Sequence, residues 1–273
     1  MTSFGVIAQV RKKLNIKKIG HLGTLDPAGV GILPLAVNKA TKLFDVMQKK
    51  VKTYRAIFVF GKQTTTLDSQ GEVEFVDSDC DIKEEQLLKM IPSFIGEQMQ
   101  QPPQFSAKKI NGKRAYDLAR QGENFELQPK KIIIYSFELI SQIAKNAFLF
   151  EIKCSTGTYI RSLCRDVAEK LGTYAYMPLI IRTQVGCFTL DNAVDLYSFL
   201  QSENPNEFVI GFDKVYPLEK INLTEENSKK LKNGLVIDFN SNDGEYYLCF
   251  NDKIFAIGKI NKGKLKMEIY LND

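Results

Sequence analysis

Phe4, Ile7, Val10 and Leu14 recur at three- and four-residue spacing, which predicts a helix capped by Thr2 or Ser3. The periodicity then stops. Gly20 to Pro34, GHLGTLDPAGVGILP, holds four glycines and two prolines and reads as a long irregular loop with close backbone approaches. A loop of that length inside a compact domain is usually functional. Leu33–Val37 follows as a short strand and Ala40–Met47 as a helix.

Thr53–Phe60 (TYRAIFVF) is β-branched and aromatic enough for a strand ending at Gly61, with Glu72–Val76 as its expected hairpin partner. Glu84–Ile91 is a predicted helix stopped by Pro92. Ile132–Ile140 and Ala147–Cys154 alternate as a hairpin, and Thr158–Leu171 is a helix closed by Gly172. Between them, Gln98–Gln128 is poor in large aliphatics, holds Pro102 and Pro103, and has a basic excess. It reads as an exposed excursion with a short helix, Ala115–Gln121. Gln201 to Glu207 is polar, contains Pro205 and is the best linker candidate. Beyond it, Gly234–Leu271 predicts short strands separated by turns, the pattern of a small all-β barrel. The expected class is therefore α+β. A central mixed or antiparallel sheet flanked by helices takes residues 1–205, with an insertion at about 100–130, and a small barrel takes 213–273.

Composition narrows the function classes. With 44% hydrophobic and 25% charged residues over 273 positions, wholesale disorder is excluded. No apolar run approaches the ~18 residues of a membrane span, and the basic cluster follows the first apolar stretch, the reverse of a secretory signal. The five cysteines form no C-x-x-C pair and His21 is the single histidine, so a Cys/His zinc site, a disulfide framework and a serine-type triad are all disfavoured. The reducing cytoplasm is the expected compartment. Net charge is +5, but residues 1–62 hold 12 Lys/Arg against only Asp26 and Asp45. That asymmetry suggests a polyanion, nucleic acid before membrane, with solvated helix faces as the plain alternative.

Candidate chemistry centres on Asp26 in Gly23-Thr-Leu-Asp26-Pro27. An aspartate before proline is ordinarily a turn former. Here it is one carboxylate in a basic region, beside the only histidine, on a loop whose glycines admit a ligand, which suits a nucleophile or general base. Tyr54, between Lys52 and Arg55, is either core packing or a face on which a base stacks. Tyr159 and Arg161 open a helix. Arginine is disfavoured at that positive end, so its placement implies a fixed carboxylate or phosphate partner rather than a bare surface cation.

The blocks GHLGTLDPAGVGILPLAVNKATKL, KTYRAIFVFGKQTTTLDSQG, QPPQFSAKKINGKRAYDLARQG, CSTGTYIRSLCRD and IRTQVGCF occur in order through residue 188. Together they resemble the TruB family of bacterial tRNA pseudouridine synthases, which isomerise the T-loop uridine at tRNA position 55. The resemblance covers about the first 190 residues, and the tail is compatible with the family's small PUA-like RNA-binding β domain. It implies Asp26 as catalytic aspartate, His21 packing near the flipped nucleotide, Tyr54 against the target base, and Tyr159 and Arg161 at the site, the arginine pairing with the aspartate. Residues 102–128 would match a mobile segment closing over the T-arm. The family's Leu-Arg-Arg block is Ile180-Ile181-Arg182 here, so Ile180 gives the pocket a β-branched wall and one basic contact is missing.

Such a reaction breaks a C–N glycosidic bond, turns the uracil and forms a C–C bond, with no redox change, so no cofactor or metal is expected. The carboxylate could attack C1′ or C6 or assist by deprotonation. Base flipping with restacking on Tyr54 is implied. Lys17, Lys18, Lys108, Lys109 and Arg114 would hold phosphates and make binding salt-dependent. A monomer acting on the tRNA T-arm, without a membrane, is the expected assembly. The rival reading is an RNA-binding folding factor on the same scaffold, against which stands a carboxylate that would repel phosphate. Relatives also begin with a strand and a Lys-Pro pair before Thr2-Ser3. The expectation is a chain that starts upstream of Met1, whose shortened form leaves an open sheet edge near Asp26.

Overall fold

A computed structural model describes residues 1–47, 51–106, 109–110, 112–121, 125 and 127–271. Its first element is the expected helix, Ser3–Leu14, capped by Thr2, whose hydroxyl accepts from the Gly5 N–H. Ile7 and Val10 are buried, where the helix meets the strand Ile19–His21 and the segments Leu196–Gln201 and Pro205–Phe208. Phe4 stays exposed at the cleft described below. The proposed linker is thus structured, ending a helix and forming a 3-10 turn against the first helix.

Lys52–Phe60 lies inside a seven-stranded sheet, antiparallel to Ala147–Cys154 on one side and to Ala175–Val185 on the other. Lys130–Ala144 and then Gly96–Gln100 extend it from Ala147–Cys154. Alternate strand positions carry Ala56, Phe58, Phe148, Phe150 and Ile152 into one core, closed by Leu163, Cys164 and Val167 of the helix Ile160–Lys170. The expected pairing of Glu72–Val76 with Thr53–Phe60 is not observed. Val73–Val76 pairs with Lys62–Thr64 in a separate ribbon, because Gly61, at φ 94°, turns the chain out of the sheet first. The predicted helix Ala40–Met47 is a 3-10 turn, Asn38–Leu43, followed by one α turn.

The outer edge of Ala175–Val185 is covered where an open edge was expected. Gly29–Gly31 pairs with Ile180–Arg182 in parallel, and Phe188–Thr189 pairs with Gln184 and Val185. The glycine loop therefore supplies its own edge strand. C-terminally, five strands run in the order Lys220–Asn222, Gly244–Phe250, Lys253–Asn261, Lys264–Tyr270, Ile237–Asp238. The first and last do not pair, so the predicted barrel is a curled half-barrel, with the unpredicted helix Glu225–Lys232 packed on it. Its Tyr247, Cys249, Ile257 and Leu271 share a cluster with Leu22 and Leu43, and Lys42 Nζ donates to the Tyr270 carbonyl at 2.6 Å. That packing braces the glycine loop from behind.

Candidate active site

The glycine loop, the strands bearing Tyr54 and Ile180, and the start of the helix Ile160–Lys170 enclose a cleft of about 810 Å³. His21, Asp26, Tyr54, Tyr159, Arg161 and Ile180 all line it, so every candidate placed near the reaction by sequence converges there.

Arg161 organises the centre. Its Nε donates to Asp26 Oδ2 at 2.8 Å, one terminal nitrogen to the Thr66 carbonyl at 2.9 Å and the other to the Phe105 carbonyl at 3.0 Å. Asp68 Oδ2 lies 3.5 Å from the same guanidinium. The side chain of Arg161 is 5% exposed and that of Asp26 36%, so the carboxylate faces the cleft while its cation is sealed behind it. The expected arginine–carboxylate pair at a helix start is present. The helix start tolerates the cation because two carboxylates, Asp26 and Asp68, compensate it. Gln100 separately satisfies the backbone there: the Tyr159 N–H donates to Gln100 Oε1 at 2.8 Å, and Gln100 Nε2 donates to the Tyr159 carbonyl at 3.0 Å.

Two anchors fix the loop that carries Asp26. Ser3 Oγ accepts from the Leu25 N–H at 3.0 Å and lies 3.4 Å from the Leu25 carbonyl, so Ser3 holds the loop while Thr2 caps the helix. Arg182, 1% exposed, donates to the carbonyls of Ile32, Gly23 and Thr24 at 2.8, 3.0 and 3.3 Å. It is therefore a structural clamp rather than an RNA contact. Gly31, at φ 102°, has no room for a Cβ against the Arg182 backbone, which is why the loop can lie flat on this strand.

Electrostatics divide the cleft. Burial pushes the Tyr54 phenol up to about 12, so it is a protonated, half-apolar face at ordinary pH. Tyr54 belongs both to the core and to the cleft wall, reconciling its two sequence readings. Burial, with Arg182 next, lowers the pKa of His21, which favours neutral imidazole, and its Nδ1 has no hydrogen-bond partner among the described residues. Lys52, also on the wall, is lowered to about 8 by burial and then by Arg182.

Of the phosphate-binding candidates, Lys17 and Lys18 are exposed at the end of the first helix, away from the cleft lining. Lys109 and Arg114 pair across a short ribbon, and Lys108 lies outside the described residues. Asp68, Arg182, Gln100 and the Leu25 contact of Ser3 escape sequence reading. Asp68 had a signal, a lone acid in the hydroxyl-rich TTTLDSQG turn, where Thr66 Oγ1 and the Gln70 N–H donate to its Oδ1 at 2.6 and 2.9 Å.

Residues 11–160 match the model of the TruB family pseudouridylate synthase N-terminal domain. The chain belongs to the TruB family. It is 39% identical over 267 residues to tRNA pseudouridine synthase B of Mycoplasma mobile, covering 97% of this chain and 89% of that one. To the Aquifex aeolicus protein of the same name it is 38% identical over 274 residues, covering 97% and 93%. The likeness thus continues past the first 190 residues into the C-terminal sheet. In three dimensions it matches a chain from a structure of an H/ACA RNP bound to a substrate RNA containing 2′-deoxyuridine. The TM-score is 0.71 at 21% identity, covering 100% of this chain and 82% of that one. The TruB member described here is therefore an isomerase with the α+β pseudouridine synthase fold and a PUA-like C-terminal half-barrel. None of its described helices is long and apolar enough to cross a membrane.

Proposed function

We propose that this chain converts the T-loop uridine at tRNA position 55 to pseudouridine, with Asp26 as the catalytic carboxylate. The observation that carries the reading is the Asp26–Arg161 pair, an accessible carboxylate fixed by a sealed cation in a cleft of nucleotide size. Full-length similarity to proteins named tRNA pseudouridine synthase B supports tRNA as the substrate.

Each wall has a task in this reading. The uridine leaves the loop stack, and Tyr54 and Ile180 replace the stacking it loses. Asp26 engages the nucleotide at C1′ or C6. The C1′–N1 bond breaks, the uracil turns, and C1′–C5 forms, with the proton lost at C5 balanced by one gained at N1. Arg161 aims Asp26 and acts through it as a positioning residue. The side of the cleft near Phe105 belongs to the segment 102–128, which in this reading closes over the T-arm, and Arg161 links the start of that segment to the carboxylate. Residues 1–205 form the catalytic unit and 213–273 the RNA-binding one, acting together as a monomer in the cytoplasm.

Pseudouridine mapping on total tRNA from cells with and without the gene tests the assignment. Loss confined to position 55 is expected, and an unchanged position 55 contradicts it.

A further inference from the structure

Lys52 stands two residues before Tyr54 on the same face of one strand and lines the cleft half-buried. Its ammonium forms no hydrogen bond or ion pair among the described residues. The charged groups facing it, Arg182 and Lys130, share its sign. Cys154 beside it brings no compensating charge, since burial pushes that thiol up to about 12. The acids that line the cleft, Asp26 and Asp68, are held by Arg161. Arg182 uses its donors on backbone carbonyls, so its charge also stays unpaired.

Two glycines make room for the ammonium groups. Lys52 Nζ lies 2.8 Å from the point where Gly23, at φ 97°, would carry a Cβ, and Lys130 Nζ fills the corresponding position at Gly157. Both glycines line the cleft. A half-buried cation with like charges for neighbours is unfavourable in the free protein, and the pKa of Lys52, lowered to about 8, reflects that cost. An anionic ligand group would remove it.

We propose that Lys52, from the wall of the cleft, and Lys130, from its rim, grip a backbone phosphate flanking the flipped nucleotide. This rests on the cleft being the RNA site, as read above, and names its phosphate subsite. Rotatable ammonium groups suit a tetrahedral oxyanion, whereas a base edge calls for donors in a fixed plane. With a phosphate bound, the charge imbalance around Arg182 is compensated only when the target nucleotide is fully seated.

The test uses the full chain and a T-arm stem-loop RNA carrying one uncharged methylphosphonate, either 5′ or 3′ of the target uridine. Wild type should lose about tenfold in affinity for one of these two RNAs. Lys52→Met should lose severalfold on unmodified RNA, with a salt slope lower by about 0.7–0.9, and be less sensitive than wild type to that methylphosphonate, Lys130 keeping the remainder. Unmodified RNA bound as tightly by Lys52→Met as by wild type, or undiminished methylphosphonate sensitivity, overturns the proposal. Should Lys52→Met not fold, Lys130→Gln on the exposed rim carries the same comparison, and the same two results support or overturn the phosphate grip. Pseudouridine formed by wild type on unmodified RNA is read in parallel. Its absence overturns both this proposal and the functional reading, whereas pseudouridine together with wild-type-like binding or undiminished methylphosphonate sensitivity in Lys52→Met overturns the phosphate subsite alone.

Discussion

Asp26 Oδ2 accepts a hydrogen bond from Arg161 Nε at 2.8 Å across 135 residues of chain. The same guanidinium also reaches Asp68 and the carbonyls of Thr66 and Phe105, so one side chain joins the glycine loop, the 66–68 turn and the start of the 100–130 segment.

Arg161→Lys is accordingly a severe change, because an ammonium cannot hold four partners in a planar fork. Turnover should fall about 100-fold through misplacement of Asp26, with little change in RNA affinity. Single-turnover rates at saturating RNA decide it, and a rate equal to wild type contradicts the positioning role.

Arg182→Met should act on stability first. It leaves the carbonyls of Gly23, Thr24 and Ile32 without their donor in a buried setting, a loss of about 3 kcal/mol or more. Urea unfolding at pH 7 measures it. A change under about 1 kcal/mol would mean the loop finds other partners.

How much of this was legible in the sequence differs by residue. Asp26, Arg161 and Tyr54 stand in motif blocks, and element periodicity gives the helices Ser3–Leu14 and Ile160–Lys170 nearly to the residue. Pairing partners are another matter. Val73–Val76 has strand composition, but nothing in it tells that a turn at Gly61 will offer Lys62–Thr64 instead of Thr53–Phe60. Arg182 looks like a surface cation in a strand, and its burial follows from the loop 23–32 folding back across it, a contact about 150 residues away in sequence. In the C-terminal sheet a strand pattern is legible only from Gly234 onward, because Lys220–Asn222 is three residues long and pairs in parallel with a distant strand.

Lys52→Met should stabilise the free protein, and by an amount that depends on pH. The folded pKa of Lys52 is about 8 against an ordinary 10.5. Between those values the unfolded chain holds a proton that the folded one has released, so wild-type stability rises as pH climbs through that window. Below pH 8 the cost of burying the charge is fully present. The variant should therefore exceed wild type by roughly 1–3 kcal/mol at pH 7, discounted for partial exposure, and the gap should narrow by pH 9.5. Urea unfolding at both pH values checks the sign, and a gap that widens with pH contradicts the unpaired cation.

The most direct measurement is product formation by Asp26→Asn on a T-arm stem-loop RNA under single-turnover conditions. The substitution keeps the size of the side chain and a hydrogen-bonding oxygen toward Arg161 while removing its charge, so the variant should fold and bind RNA within about threefold of wild type. No pseudouridine should form at position 55 over a time in which wild type completes the reaction. Pseudouridine at that position from the variant, at more than a few hundredths of the wild-type rate, would contradict Asp26 as the catalytic group.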